Sequence, residues 1–444
     1  MSSGGYGDIG GPESSEDRKV RATEKILSSM SYRLGKLIVD SIRKPWRLIL
    51  LPISMTTLLI SYGKEKMGYS KFKSMGESTH NVASRECIVL FPTNGVGLGH
   101  FSRMISLARA IKRAKPSMEI VFFTTNYVLH PAYSLGFKCY HLPSRQKFDN
   151  MDPSTWNSLC EEKLFNVLSI HKPQFFVFDG AYPYRGMLNA IKNKNSVHKV
   201  WVKRLAREGA DSSPIDSYSH FDRIVIPGDF IEPNEDNLKK WDVDEVNLTP
   251  PFISVSRQDL MPRGELRGRL GIPSDATVAL ISLGAGIINE IGDLRNYIAE
   301  NIAQRGIYVV IADSMLNPTK ERYDDEYIRI IKEFPIMAYR NCFDFGVISG
   351  GYNSIHESIF LKLPSLIIPN YQTGTDDQIK RAIGASSGGS MIMVQGEDLD
   401  LLELALDRIS DSEVRAEMIQ TMGEGGNIID GSPYLAKSLL NSVV

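Results

Sequence analysis

From Cys87 onward the chain alternates short apolar runs with amphipathic stretches of helical period. CIVLFP (Cys87–Pro92), EIVFFTT (Glu119–Thr125), KCYHLP (Lys138–Pro143), QFFVFDG (Gln174–Gly180), HKVWVKR (His198–Arg204) and DRIVIPG (Asp222–Gly228) have strand length and little polar interruption. A helix-periodic stretch from about Phe101 to Ala114 follows the first of them. A segment rich in Asn, Asp, Pro and Ser (Asn234–Asp259) breaks the pattern. It resumes with TVALISLGAG (Thr277–Gly286), IYVVIAD (Ile307–Asp313), FDFGVISGG (Phe343–Gly351), PSLIIPN (Pro364–Asn370) and SMIMVQG (Ser390–Gly396). Apolar strands separated by helices predict parallel sheets covered on both faces. Two such halves joined near Arg257–Pro262 predict an α/β protein of two doubly wound, Rossmann-like lobes, 83–258 and 259–444. The final helices, from about Leu401, close the structure. In such sheets ligands sit at the carboxyl ends of the strands.

The N-terminal part reads differently. Residues 1–30, rich in Gly and Ser at their start, are expected to be a disordered tail. Residues 31–82 are expected to be helical and membrane-proximal. Leu34, Leu37, Ile38 and Ile42 share one helix face, with Lys36, Asp40, Arg43 and Lys44 opposite. Between Arg18 and Lys73 there are thirteen Lys/Arg against three Asp/Glu. After Pro45 and Trp46, the run Leu48–Tyr62 is fifteen residues long and carries Pro52. A bilayer span takes about 20 apolar residues. Three readings stay open: an interfacial helix on an anionic surface through residues 31–66, a helical hairpin packed on the protein's own core, and a genuine span.

A net charge of −1 argues against a dedicated nucleic-acid binder. Four dispersed cysteines (Cys87, Cys139, Cys160, Cys342), with no C-x-x-C pair, support neither a disulfide framework nor a structural zinc site. The acidic, Gly/Ser-rich start lacks the pattern of a secretory signal, so the expected location is cytoplasmic, peripheral on the inner membrane face if the basic segment docks there.

Three places carry candidate chemistry. The loop Thr93–His100 (TNGVGLGH) joins a strand to a helix, and Gly95, Gly97 and Gly99 allow close backbone approach to a ligand. His100 stands at the helix mouth. Asp179 ends the strand QFFVFD on the same carboxyl edge, where a carboxylate can fix an imidazole's tautomer for general-base work. In the second half, Ser349, Gly350 and Gly351 lead from a strand into a helix near Asn353 and Ser354, a ready phosphate site of free N–H groups and favourable dipole. Glu357, one turn in, can accept from a ribose diol. Asp377 and Gln378 open the next helix, where they can hold sugar hydroxyls. Capping offers a plainer account of Asn353 and Asp376 singly. His356, within a helix, is not a candidate. The G-x-S-x-G at Gly384–Gly388 follows a helix and precedes a strand, the reverse of a nucleophile elbow.

The stretch Ser349–Gln378 resembles the donor-binding signature of inverting glycosyltransferases with two Rossmann-like lobes (the GT-B type). It matches the plant UDP-glycosyltransferases at Gly351, Asn353, Ser354, Glu357, Ser358, Pro364, Pro369, Asp377 and Gln378. It is also similar to the bacterial transferase that adds N-acetylglucosamine to the peptidoglycan precursor. Gly95–Arg103 resembles the G-x-G-H-x-x-R loop of bacterial relatives, and the likeness covers roughly residues 85–425. It implies His100 as base with Asp179 as partner, Asn353 and Ser354 on the phosphates, Glu357 on the ribose, and Asp377 and Gln378 on the sugar. Gly284–Gly286 would line the diphosphate. Ser349 replaces the signature's opening histidine, which removes a phosphate contact. Arg103, where other members carry a proline, is expected to add an acceptor or phosphate contact, with Gly97 and Gly99 in the same loop. The implied activity is sugar transfer from a nucleotide-sugar donor, UDP-linked, to a glycan or lipid-linked acceptor in bacterial surface-polysaccharide synthesis, with no metal and no other cofactor. An epimerase or hydrolase acting on sugar nucleotides would share the architecture, as would a non-catalytic donor-binding subunit.

Overall fold

The computed structural model describes residues 29–44, 51–66, 85–93, 97–148, 150–207, 215–232, 246–284, 291–315, 325–395, 398–424 and 428–442. Nearly all of the N-terminal tail, and Trp46, Gly95 and Gly286, lie outside the described residues. In chain order the first elements are helices α1 (Met30–Arg43) and α2 (Leu51–Lys66). The first lobe follows with β1 (Arg85–Pro92), α3 (Gly99–Ala114), β2 (Glu119–Thr124), α4 (His130–Tyr133), β3 (Lys138–His141), α5 (Pro153–His171), β4 (Pro173–Asp179), α6 (Arg185–Ile191), β5 (His198–Val202), β6 (Arg223–Pro227) and β7 (Val246–Thr249). The second lobe begins with α7 (Arg263–Leu270), β8 (Val278–Ser282), α8 (Ile291–Gln304), β9 (Tyr308–Ala312), β10 (Ile328–Ile331) and β11 (Phe345–Ser349). It continues with α9 (Tyr352–Phe360), β12 (Ser365–Ile368), α10 (Gln378–Ser386), β13 (Ile392–Met393), α11 (Leu399–Ser410), α12 (Ser412–Glu424) and α13 (Ser432–Asn441).

Both sheets are parallel, in the orders β3-β2-β1-β4-β5-β6-β7 and β10-β9-β8-β11-β12-β13. Their strands are apolar throughout because helices cover both faces. In β1, Val89 and Phe91 pack under α5 and α6, while Ile88 and Leu90 pack under α3. In β8, Ala279 and Ile281 face the α8 and α11 side, and Val278 and Leu280 the α7 side. Local signals set helix ends. Asp152 caps α5 by accepting from the Thr155 amide at 3.0 Å, and Gly271 ends α7 with φ +66°.

Two edge strands depart from the sequence reading. Strand β7 lies inside the stretch read as a break, and β10 was not anticipated. Each is only four residues long, VNLT and IRII, and is interrupted by Asn247 or Arg329, so pairing with a finished neighbour decides it.

The closing helices divide between the lobes. Leu402, Leu406 and Met418 of α11 and α12 join the second core, whereas Leu435, Ala436 and Leu439 of α13 join the first. The span 259–444 is therefore not wholly second-lobe. Helix α13 is pinned where Ser432 Oγ meets Ser106 Oγ at 2.6 Å and the Gly431 amide donates to Pro251 O at 2.8 Å. A Cβ on Gly431 would stand 2.0 Å from Pro250 O, a backbone atom with little room to yield. Gly431→Ala should cost about 1–3 kcal/mol of stability. Urea denaturation checks this, and an unchanged midpoint would contradict the docking of α13 on the first lobe.

Candidate active site

In each sheet the strand order reverses at one place, between β1 and β4 and between β8 and β11. The candidate residues flank these two switch points, where open α/β sheets form their ligand crevices. Pro92 at the end of β1 is paired with Asp179 at the end of β4, and the Thr93 amide donates to Asp179 O at 2.9 Å. The loop after β1 thus starts beside Asp179, and the first turn of α3 returns over it. His100 and Arg103, three apart on that helix, share the face that meets the carboxylate.

His100 Nδ1 lies 2.7 Å from Asp179 Oδ1. Arg103 donates from Nε to Asp179 Oδ2 at 2.9 Å and from Nη2 to Oδ1 at 2.8 Å. Arg103 Nη2 is also 2.8 Å from His100 Nδ1. An ionised carboxylate can only accept, so the 2.7 Å contact with Asp179 Oδ1 places the proton on His100 Nδ1, which donates it to Asp179. That leaves Nε2 as the lone-pair nitrogen, without a protein hydrogen-bond partner among the described residues. Burial pushes the His100 pKa down; Asp179 opposes this, and Arg103 and Arg204 add to it, so the direction is downward and the resting imidazole is neutral. Burial alone would raise the Asp179 pKa, but Arg103 and His100 hold it below the usual carboxylate range.

Arg103 has a role the sequence did not show. Its side chain is 2% exposed, and Nε and Nη2 donate to Asp179, so it positions the carboxylate while also lining the cleft.

A cleft of about 590 Å³ separates this trio from the second lobe. His100, Gly97, Gly99 and Arg103 line one side, and Gly284, Ser349, Gly351, Asn353, Ser354 and Gln378 line the other. Helix α9 starts at Gly351 with no side-chain cap, which leaves the amides of its first turn to an anion. Asn353 and Asp376, the residues with a plainer capping account, do not cap: Asn353 Nδ2 donates across the cleft to Gly99 O at 3.4 Å. Its Oδ1 is a buried acceptor without a protein partner among the described residues. Gly284 has φ +94° and open space where a Cβ would point, as a ligand-facing turn requires. Gly350 serves packing instead: a Cβ there would come within 2.8 Å of Gln378 O.

Glu357 lies in a smaller adjoining cavity of about 200 Å³, with Asp313 and Met337. Its Oε1 accepts from the Ser254 hydroxyl and, at 3.4 Å, from the Ser254 amide. Burial pushes its pKa up to about 7, against those hydrogen bonds.

The Asp376–Asp377 pair also departs from expectation. Asp377 Oδ1 accepts from the Lys380 amide at 3.0 Å and caps α10. Asp376 is the carboxylate that lines the cleft, and Arg204 Nη1 at 3.0 Å and Arg381 Nη2 at 2.7 Å donate to it. Gln378 Oε1 accepts from the Asn370 amide at 3.0 Å, fixing the loop before the helix.

The sequence reading passed over Arg204, Arg381, Asp229 and Tyr352. Arg381 donates from Nε to Asp229 at 2.7 Å, tying α10 to the loop after β6. The guanidinium groups of Arg103, Arg204 and Arg381 lie 5.4, 5.4 and 5.8 Å from the Tyr352 ring. Arg204 and Asp229 were legible, since each stands two residues after a strand, β5 and β6, on the same carboxyl edge as His100 and Asp179. His356 is packed away, its Nδ1 2.7 Å from Tyr352 O and its pKa lowered by burial to about 4.

Glu357 yields a pH prediction. Folding raises its pKa from the ordinary 4.5 to about 7, so between those values the folded state holds the extra proton. Its contribution to stability is therefore greatest at low pH, falls as pH rises through that window and levels off above it. Thermal melts of Glu357→Gln should show a flatter pH dependence than wild type between about pH 5 and 7. Parallel curves would refute the buried-carboxyl assignment.

No protein-family model matches the sequence, and no curated protein matches it. The three-dimensional structure does have counterparts. The calicheamicin glycosyltransferase CalG4 aligns over 82% of this chain and 100% of its own, with a TM-score of 0.54 and 16% identity. The spinosyn rhamnosyltransferase SpnG complexed with thymidine diphosphate aligns over 80% and 99%, with a TM-score of 0.55 and 13% identity. A UGT transferase from Siraitia grosvenorii in complex with UDP aligns over 80% and 99%, with a TM-score of 0.52 and 14% identity. At these identities the likeness is one of fold, and the chain has the two-lobed GT-B architecture of these glycosyltransferases.

Proposed function

We propose that the chain is an inverting glycosyltransferase. It would move a sugar from a UDP-linked donor to a hydroxyl of a glycan or lipid-linked acceptor in bacterial surface-polysaccharide synthesis. The observation that carries this reading is an Asp179-held imidazole facing the uncapped amino end of α9 across one cleft. The solved neighbours with bound thymidine diphosphate and UDP support a nucleotide diphosphate in the role. The polysaccharide setting, and the kinship with the peptidoglycan-precursor transferase, rest on the sequence motifs and the basic N-terminal segment.

In this mechanism His100 Nε2 takes the acceptor hydroxyl proton as the oxygen attacks the anomeric carbon from the face opposite the leaving group. The bond from the anomeric carbon to the diphosphate oxygen breaks, and configuration inverts. Asp179 balances the imidazolium as it forms. The leaving diphosphate gathers negative charge against the first-turn amides of α9, with Asn353 and Ser354 beside it, so the reading calls for no metal. Glu357 accepts from the ribose diol, and Gln378 and Asp376 face the sugar.

His100→Ala should lower transfer about 10²- to 10⁴-fold. UDP should still raise its melting temperature as it raises that of wild type. Glu357→Ala should instead weaken UDP binding by about 1–3 kcal/mol. Sugar-dependent UDP release and thermal shifts with UDP, GDP and dTDP are the measurements. Undiminished turnover in the His100 variant, or no shift with any nucleotide, would sink the reading.

A further inference from the structure

The hairpin of α1 and α2 breaks the burial rule that the lobes obey. The two helices pack on each other, with Arg33 5.8 Å from the Tyr62 ring, but among the described residues none of theirs belongs to the apolar cores of either lobe. Their outer surface leaves Ile38, Val39, Ile42, Ile53, Leu59 and Ile60 between 39% and 66% exposed. From Leu51 to Gly63 there is no charged side chain at all. Its exposed threonines bond back to their own helix: Thr56 Oγ1 donates to Pro52 O at 2.9 Å and Thr57 Oγ1 to Ile53 O at 2.8 Å, so neither hydroxyl proton needs a water. A water-facing helix gains nothing from such a surface.

We infer that this hairpin lies in the interface of an anionic lipid leaflet, with the α2 face sunk among the acyl chains. Length decides against a span. The sixteen residues of α2 reach about 24 Å at 1.5 Å each, short of the roughly 30 Å hydrocarbon core. Among the described residues no helix is long and apolar enough to cross a membrane. Charge chooses the occupant. On α1, Lys36 and Arg43 flank exposed Val39 and Tyr32, and residues 29–66 carry seven Lys/Arg against two Asp/Glu. Cations bordering an apolar stripe match phosphate headgroups over acyl chains, whereas a second copy of the same basic hairpin would be repelled. The inference stands apart from the catalytic reading, since it needs neither donor nor base.

The test is flotation of the full chain with phosphatidylcholine vesicles, with and without phosphatidylglycerol, beside light scattering of the free protein. Wild type should float with the anionic vesicles only. Ile53→Glu with Ile60→Glu should cut flotation about tenfold or more, and Lys36→Glu with Arg43→Glu should abolish the anionic preference. Both variants should keep the wild-type thermal shift with UDP, so failure at the hairpin is separable from failure at the cleft. Wild type that stays at the bottom of both gradients overturns the inference, as does an apolar-face variant that floats undiminished. Self-association lost in that variant, with no flotation of wild type, would assign the face to a second copy instead.

Discussion

A buried carboxylate must be paired, and the first lobe is organised around that requirement. Asp179 is 1% exposed at the end of β4. Losing one partner of such a buried ion pair typically costs about 3–5 kcal/mol. Arg103 meets the need with two hydrogen bonds, and because it sits on the first turn of α3, the pair locks the helix mouth onto the strand edge. His100 is carried into place by the same turn. The pairing also sets its protonation. A bare carboxylate would favour the imidazolium, but a carboxylate already compensated by a guanidinium does so less, and burial then keeps the ring neutral.

The same economy of charge extends across the cleft. Three guanidinium groups (Arg103, Arg204, Arg381) lie near the Tyr352 ring and pair with three carboxylates (Asp179, Asp229, Asp376). Arg204 and Asp229 come from the first lobe, Asp376 and Arg381 from the second, so the pairs run across the cleft and hold its walls in register. Arg103 and Arg381 are engaged with internal carboxylates, and Arg204 donates to Asp376. An anion entering the cleft would meet the free amides at the start of α9 and the Arg204 Nε, a buried donor without a protein partner among the described residues. Tyr352 occupies the first position of that helix, which ties the anion site to the network through direct packing.

The hairpin obeys no such pairing logic, because it has no core to join. Both lobes bury apolar strands under helices on two faces. Two helices of fourteen and sixteen residues cannot enclose one another, and the side chains left over are aliphatic. The fold therefore contains one surface built for water-filled chemistry and one whose composition suits a different solvent.

Much of this was legible in the amino-acid order alone. Continuous apolar runs between helical periods determine parallel strands, since only a sheet covered on both faces tolerates them. Strand-end placement brings His100 and Asp179 to one edge, because parallel strands share a direction. Tertiary structure decided what local pattern leaves equal. Asp376 and Asp377 are chemically identical neighbours, and only the approach of Arg204 from 172 residues away puts one in the cleft and the other on a helix cap. Arg103 reads as a free cation until Asp179 arrives beneath it. The short edge strands β7 and β10, and the return of α13 to the first lobe, likewise depend on partners distant in the chain. Periodicity reports which face of an element is apolar; which surface covers that face is set by long-range packing.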